Sequence, residues 1–186
     1  MNSPVLRRQD RVLAQAEARQ LLARAYCGRL ATISEDGWPY IVPLLYVFSG
    51  DEIGLHNTSA PGHLRSNVQR DARACFEVDE PLSVFDYGRF ECDTGLAYRS
   101  VVAYGHLRIV DDRAAKSRFF DSLMAKYGTG AARPKSFYPR LDDVTVYAMT
   151  VERTTGKHCP LPAISEQWPA LDRTKSPDAI PPSAAP

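Results

Sequence analysis

The chain has 186 residues, enough for one domain with appendages, since roughly 100–200 residues bury enough apolar surface to fold without staples. Its 23 Lys and Arg nearly cancel 22 Asp and Glu, so no global basic field draws in nucleic acid or an anionic membrane, and any bound anion needs a local site. The longest apolar run, residues 41–48, is far below the roughly 20 residues that span a bilayer, and Arg7, Arg8 and Arg11 have no apolar core behind them, so a cytoplasmic protein is expected.

Residues 12–26 place Leu13, Ala16, Gln20 and Ala23 on one stripe, with Val12, Leu21, Leu22 and Ala25 beside it. This spacing predicts an amphipathic helix that Gly28 terminates. Residues 28–33 read as a strand, and Asp36-Gly37 supplies the dipeptide that lets a tight hairpin turn take positive φ. The return strand is expected over residues 40–48. After a turn at Ser49-Gly50-Asp51, residues 53–57 form a third strand of an antiparallel meander.

Residues 58–62 break the strand pattern, and residues 63–70 have helical spacing with Leu64 and Val68 on one side. Residues 72–78 are the next strand. Residues 80–95 contain Pro81, Gly88 and Gly95 without a sustained period, which predicts mostly loop with an irregular strand. Residues 96–110 are rich in β-branched and aromatic side chains, Asp111-Asp112 caps a helix running to Tyr127, and residues 143–152 close the sheet. Strands with helices at their ends predict a small barrel rather than a doubly wound sheet. From Pro160 the composition shifts to Pro, Ala and Ser, too poor in apolar surface to offset the entropy of ordering, although Leu161 and Trp168 are candidates to dock. Three parts are therefore expected: an N-terminal helical segment over residues 1–27, a barrel over 28–159, and a flexible tail over 160–186.

Cys27, Cys75, Cys92 and Cys159 are scattered without a C-x-x-C pair, so free thiols are expected rather than a zinc site or a disulfide framework. His56 and His63 have no Cys or carboxylate accompanying them in a ligand pattern, and no metal is expected. Neither a nucleophile elbow, a dinucleotide-binding fingerprint nor a P-loop is present.

Five blocks in order carry a family resemblance: Gly28-Arg29-Leu30-Ala31-Thr32; Asp36-Gly37-Trp38-Pro39-Tyr40-Ile41-Val42-Pro43-Leu44; Leu55-His56-Asn57 through Gly62-His63-Leu64 to Ala74-Cys75-Phe76-Glu77-Val78; Tyr98-Arg99-Ser100-Val101-Val102-Ala103-Tyr104-Gly105; and Thr155-Gly156-Lys157. Over residues 8–157 the chain resembles the pyridoxamine 5′-phosphate oxidase-like, FMN-binding split barrels, and within them the nitroimidazole-resistance branch. The resemblance implies a mainly β, six-stranded antiparallel split barrel with flanking helices, paired as a homodimer with two FMN sites built from both subunits.

The implied FMN contacts are Val42, Pro43 and Leu44 along the flavin ring and Thr58, Ser59, Gly62 and His63 toward the phosphate, with His56, Asn57 and Leu64 also at the flavin site. Arg99, Ser100 and Val101 would reach across from the partner subunit. A helix start offers free N–H groups and a favourable dipole to a phosphate, although Thr, Ser and Gly also begin helices that bind nothing. Relatives commonly carry Lys or Arg where this chain has His63, which leaves fixed charge to Arg65 or Arg99. Pro43 in a strand is expected at an edge or bulge, where backbone groups are free to meet a planar ring. His56 matches the histidine that the nitroimidazole-resistance branch sets beside the flavin, and is the one catalytic candidate.

The implied chemistry is flavin redox, with hydride taken from a reduced nicotinamide nucleotide such as NAD(P)H and electrons passed to a small nitro compound or quinone. True pyridoxamine phosphate oxidase activity is disfavoured because no paired basic signature follows the third strand. Two alternatives stay open: a flavin-storing protein without turnover, with residues 80–95 covering the ring, and a haem-binding split barrel that uses a histidine.

Overall fold

The computed structural model describes residues 6–85, 94–128 and 138–161. Cys92, Trp168, residues 86–93 and the tail beyond Leu161 lie outside them.

The Asp36-Gly37 turn works as its residue types dictate. Gly37 takes φ of 85°, and Asp36 Oδ1 accepts from the Trp38 N–H at 3.2 Å. The turn fixes the register of β1 (Gly28–Ile33) on β2 (Pro39–Leu44), from Gly28 opposite Leu44 to Ile33 opposite Pro39. The expected return strand is broken at Leu45. Beyond it β3 (Tyr46–Ser49) leaves β1 and pairs with β4 (Glu52–Thr58).

After α2 (His63–Arg70) come β5 (Arg73–Phe85) and β6 (Gly95–Val110). Then α3 (Arg113–Tyr127) leads to β7 (Val144–Cys159). All pairings are antiparallel, in the order β2-β1-β5-β6-β7-β4-β3. The two outermost strands are thus consecutive in sequence, with only Leu45 between them. The sheet wraps round so that one bent segment serves both edges; counting β2 and β3 as that one segment reconciles the seven-strand order with the expected six-stranded barrel.

Two expectations about strand length are corrected. Residues 80–85 are not loop: β5 continues to Phe85 and pairs with Gly95–Arg99, absorbing Pro81 in an irregularity between Pro81 and Ser83. Likewise β7 runs past Glu152 to Cys159, because a bulge at Tyr104/Gly105 restores its register on β6. Polar residues 152–158 hide this strand from a hydrophobicity reading.

The barrel interior is filled by Leu30, Tyr46, Leu55, Phe76, Val101 and Met149, all fully buried. Helix α1 (Gln15–Arg24) is shorter than expected and turned the other way. Ala18, Leu21 and Leu22 are buried while Ala16, Gln20 and Ala23 are exposed. The reason is that Val12 and Leu13 are extended, with Val12 bridging Lys157 and the Leu13 N–H donating to Gly156 O at 3.0 Å. Gly28 does not end this helix but opens β1, against the ring of Phe76.

Helix α2 packs Leu64 and Val68 on the core, and its buried Asn67 donates to Thr32 Oγ1 at 3.0 Å. Helix α3, capped as expected by Asp112 accepting from the Ala115 N–H at 2.7 Å, lies on the outside of the sheet. There Ala115, Phe119 and Phe120 cover Val110, Val146 and Ala148.

Candidate functional site

Tyr40 on β2 stacks on His63, the first residue of α2, with centroids 5.6 Å apart and planes 29° from parallel. This contact joins the expected ring strand to the expected phosphate loop. An open cleft of about 870 Å³ lies at the junction, lined by Ser34, Glu35, Asp36, Pro61, Gly62, His63, Ser66 and Asn67. The N-terminus of α2 carries no capping side chain, and its first intrahelical bond runs from the Ser66 N–H to Gly62 O at 3.1 Å. The earlier N–H groups of the turn are those a helix leaves for an anion. Nothing lies within 4 Å of where a Gly62 Cβ would stand, so the approach is unobstructed. Glu35 and Asp36 set negative charge on the opposite wall.

Thr58 ends β4 and is exposed, and the Ser59 N–H donates to Asp143 O at 3.0 Å. Arg65 Nη1 donates to Ser59 O at 3.0 Å, which ties the loop down and keeps a permanent cation beside it. Asn57 turns inward: its Oδ1 is buried without a hydrogen bond near the equally unpaired hydroxyl of Tyr147, whose ionisation burial pushes up. Leu64 is core. Along β2, Val42 and Leu44 half-bury against the core while Pro43 faces outward opposite Arg29. β2 pairs only with β1, so Pro43 occupies an edge strand as its chemistry requires.

His56 is elsewhere. Its ring sits beneath α3, 5.6 Å from Phe119 and 5.1 Å from Phe120 between centroids, with Nδ1 buried and unpaired. Burial pushes its pKa below the usual histidine value.

Arg99, Ser100 and Val101 are not brought to the cleft within one chain. Arg73, where β5 begins after α2, pairs with His106; Arg99 is seven residues further along β6, roughly 23 Å at the usual strand rise. Strand alternation also splits the three. Arg99 is exposed and shares Glu80 with Arg24, at 3.5 and 2.6 Å respectively. Ser100 faces the outer surface opposite Asp79 and Lys157, and Val101 is fully buried.

The outer face also gathers residues the sequence reading did not single out. Arg29 pairs with Asp79 and lies 3.6 Å from Glu77, whose carboxyl is raised by burial and by Asp79 against the pull of Arg29. Arg153 lies 4.3 Å over the Tyr104 ring on the same face. The alternation Cys75-x-Glu77-x-Asp79 in a strand otherwise buried at every second position was the available signal.

Comparison with known proteins follows this geometry. A flavocytochrome of Azotobacter vinelandii matches with a TM-score of 0.71 at 18% identity, covering 98% of this chain and 92% of that one. A proposed 5-nitroimidazole antibiotic resistance protein of Bacteroides thetaiotaomicron matches at 0.66 and 19%, covering 79% and 85%. An FAD- and haem-binding protein of Mycobacterium smegmatis matches at 0.67 and 20%, covering 81% and 75%. These likenesses show the fold. No curated protein matches the sequence. The family model for pyridoxamine 5′-phosphate oxidase covers residues 14–158, and the chain therefore belongs to the pyridoxamine 5′-phosphate oxidase family.

Proposed function

We propose that this protein is a flavoprotein of the nitroimidazole-resistance type that holds FMN between two copies of the chain and reduces a small nitro compound or quinone at the expense of NAD(P)H. The observation that carries the reading is the uncapped start of α2, stacked through His63 and Tyr40 on the edge strand that bears Pro43. Two of the residue sets expected from the resemblance, the ring strand and the phosphate loop, adjoin there. Two fold relatives are described as a flavocytochrome and as an FAD- and haem-binding protein, which supports a flavin as the cofactor class.

The residues fit the group. Backbone N–H groups at Gly62 and His63, with the Ser66 hydroxyl, would take the phosphate, and Val42–Leu44 would lie along the ring. Arg99 and Ser100, too far away within one chain, would come from the second copy. Bound FMN supplies the hydride and electron transfer. The protein orients it, shields one face, and keeps Arg65 as a fixed charge next to the phosphate loop. In this reading His56 moves no proton; it packs α3 on the sheet.

The test is the absorbance spectrum of the purified protein, then heat release, identification of what comes off, and sedimentation to count chains. FMN near one per chain in a dimer is the expected result. A Soret band would replace flavin with haem, FAD would correct the cofactor, and a colourless protein that refuses added FMN would overturn the proposal. Stable flavin without NAD(P)H-dependent reduction of nitro or quinone acceptors would overturn the catalytic half alone.

A further inference from the structure

Lys126, in the last turn of α3, has its Nζ buried and without a hydrogen-bond acceptor. Its nearest polarisable partners are ring faces: Nζ stands 3.8 Å from the centroid of Tyr46 and 5.2 Å from that of Tyr127. Lys116 on the same helix is treated differently, donating to Leu141 O at 3.3 Å and Val144 O at 3.1 Å. Ring faces attract an ammonium but return only part of the hydration it has lost. Burial accordingly pushes the pKa of Lys126 down to about 8.

Beside this amine opens a pocket of about 370 Å³, lined by Arg24, Tyr26, Leu45, Lys126, Tyr127 and Gly128. Among the described residues the lining holds two cations and no carboxylate. Outside the lining, Glu80 bonds Arg24 at 2.6 Å and is shared with Arg99 at 3.5 Å. The pocket walls are aromatic, with Tyr26 and Tyr127 meeting edge to face at 6.1 Å and 84° and Tyr26 79% exposed. An unpaired buried ammonium calls for an anion, and exposed aromatic walls call for an apolar body.

We propose that this pocket binds a small aromatic carboxylate, its ring against Tyr26 and Tyr127 and its carboxylate paired with Lys126. Arg24 adds attraction at the mouth. The pocket is independent of the α2 cleft, so the proposal stands or falls apart from the flavin reading.

Lys126 faces the rings of Tyr46 from β3 and Tyr127 from its own helix and lines the pocket with Arg24 from α1 and Tyr26 from the segment before β1, while Cys27 lies near the two tyrosines. Burial raises both Tyr46 and Tyr127, which therefore stay neutral where Lys126 loses its proton. Carboxylate binding should weaken about tenfold between pH 7 and pH 9 as the ammonium is lost.

The experiment is calorimetric titration of the full chain with sodium benzoate, using benzyl alcohol as the uncharged probe. Saturable binding is expected for benzoate, at least tenfold weaker for benzyl alcohol, and undisturbed by excess FMN. Lys126→Met should abolish it, Lys126→Arg should retain it while flattening the pH dependence, and Cys27→Ser should leave that dependence intact. Absent saturation, equal affinity for the alcohol, or unchanged binding in a folded Lys126→Met protein would each overturn the proposal. Should Lys126→Met fail to fold, backbone amide shifts in the wild-type protein decide. Shifts at Leu45 and Gly128 on titration support the site, and their absence overturns it.

Discussion

The hydroxyl of Tyr127 makes two hydrogen bonds with the backbone of Tyr46, accepting from its N–H at 3.3 Å and donating to its C=O at 2.9 Å. Tyr46 is the first residue after the strand break at Leu45, where the ladder to β1 has ended and that to β4 begins. The side chain therefore stands in for a missing strand partner. Tyr127→Phe keeps the ring and removes only these bonds, leaving two half-buried backbone groups unpaired. It should cost about 1–3 kcal/mol, read as a lower midpoint in urea with unchanged slope. An unchanged midpoint would show that water replaces the hydroxyl without loss.

Gly105 lies opposite the β7 bulge at Glu152, where an added Cβ would stand 1.9 Å from Thr150 O, a backbone atom that cannot swing away. Gly105→Ala should destabilise by at least about 2 kcal/mol and displace the upper half of β7. Thermal unfolding measures the first effect, and amide exchange at residues 150–157 the second. A loss below about 0.5 kcal/mol would mean that the bulge adapts.

His56 gives stability a pH dependence of definite sign. Burial depresses its pKa in the fold below 6.5, so between the two values the unfolded chain binds more protons than the native one. Stability contributed by the neutral ring is complete above pH 6.5 and is lost as pH falls toward the folded pKa, by at most about 1.4 kcal/mol per pH unit. His56→Phe should remove that slope between pH 7 and pH 5. Identical slopes in the two proteins would assign the acid sensitivity elsewhere.

Flavin affinity should respond to charge at two separated positions. Arg99→Ala should weaken FMN binding by about 1.5–3 kcal/mol if the second copy supplies this guanidinium, and in a mixed dimer only one of the two sites should suffer. His63→Arg should strengthen binding by placing a permanent cation at the uncapped start of α2. Fluorescence quenching titrations measure both, and wild-type affinity in each variant would move the phosphate away from these residues.

Much of the fold was legible because local chemistry and global shape agree. Asp36-Gly37 sets the first hairpin, Asp112 caps α3, and the spacing of Leu64 and Val68 marks α2 to the residue. The break at Leu45 was hidden, since an apolar run reads the same whether it stays with one partner or changes partners midway. β7 was hidden in its second half, where Thr154, Thr155 and Lys157 pair as a strand while reading as a loop. At the site, nearness in sequence says little about where side chains go. Arg99, Ser100 and Val101 are neighbours in sequence that strand geometry sends to different faces. His56 near the end of β4 and His63 at the start of α2 flank one short loop, yet His63 stacks on β2 and His56 is enclosed by α3.

Among the described residues the strand furthest along the chain is also the one that holds the sheet together. β7 lies between β6 and β4, so without it the remaining strands fall into a four-stranded piece, β2-β1-β5-β6, and the lone β4-β3 hairpin. A nascent chain that has emerged only through α3 therefore exposes the open flanks of β6 and β4, and the interior formed by Leu55, Val101 and Leu107 has no lid. Closing the sheet therefore waits for residues 144–159, and until they arrive the unpaired flanks of β6 and β4 are open to wrong pairing.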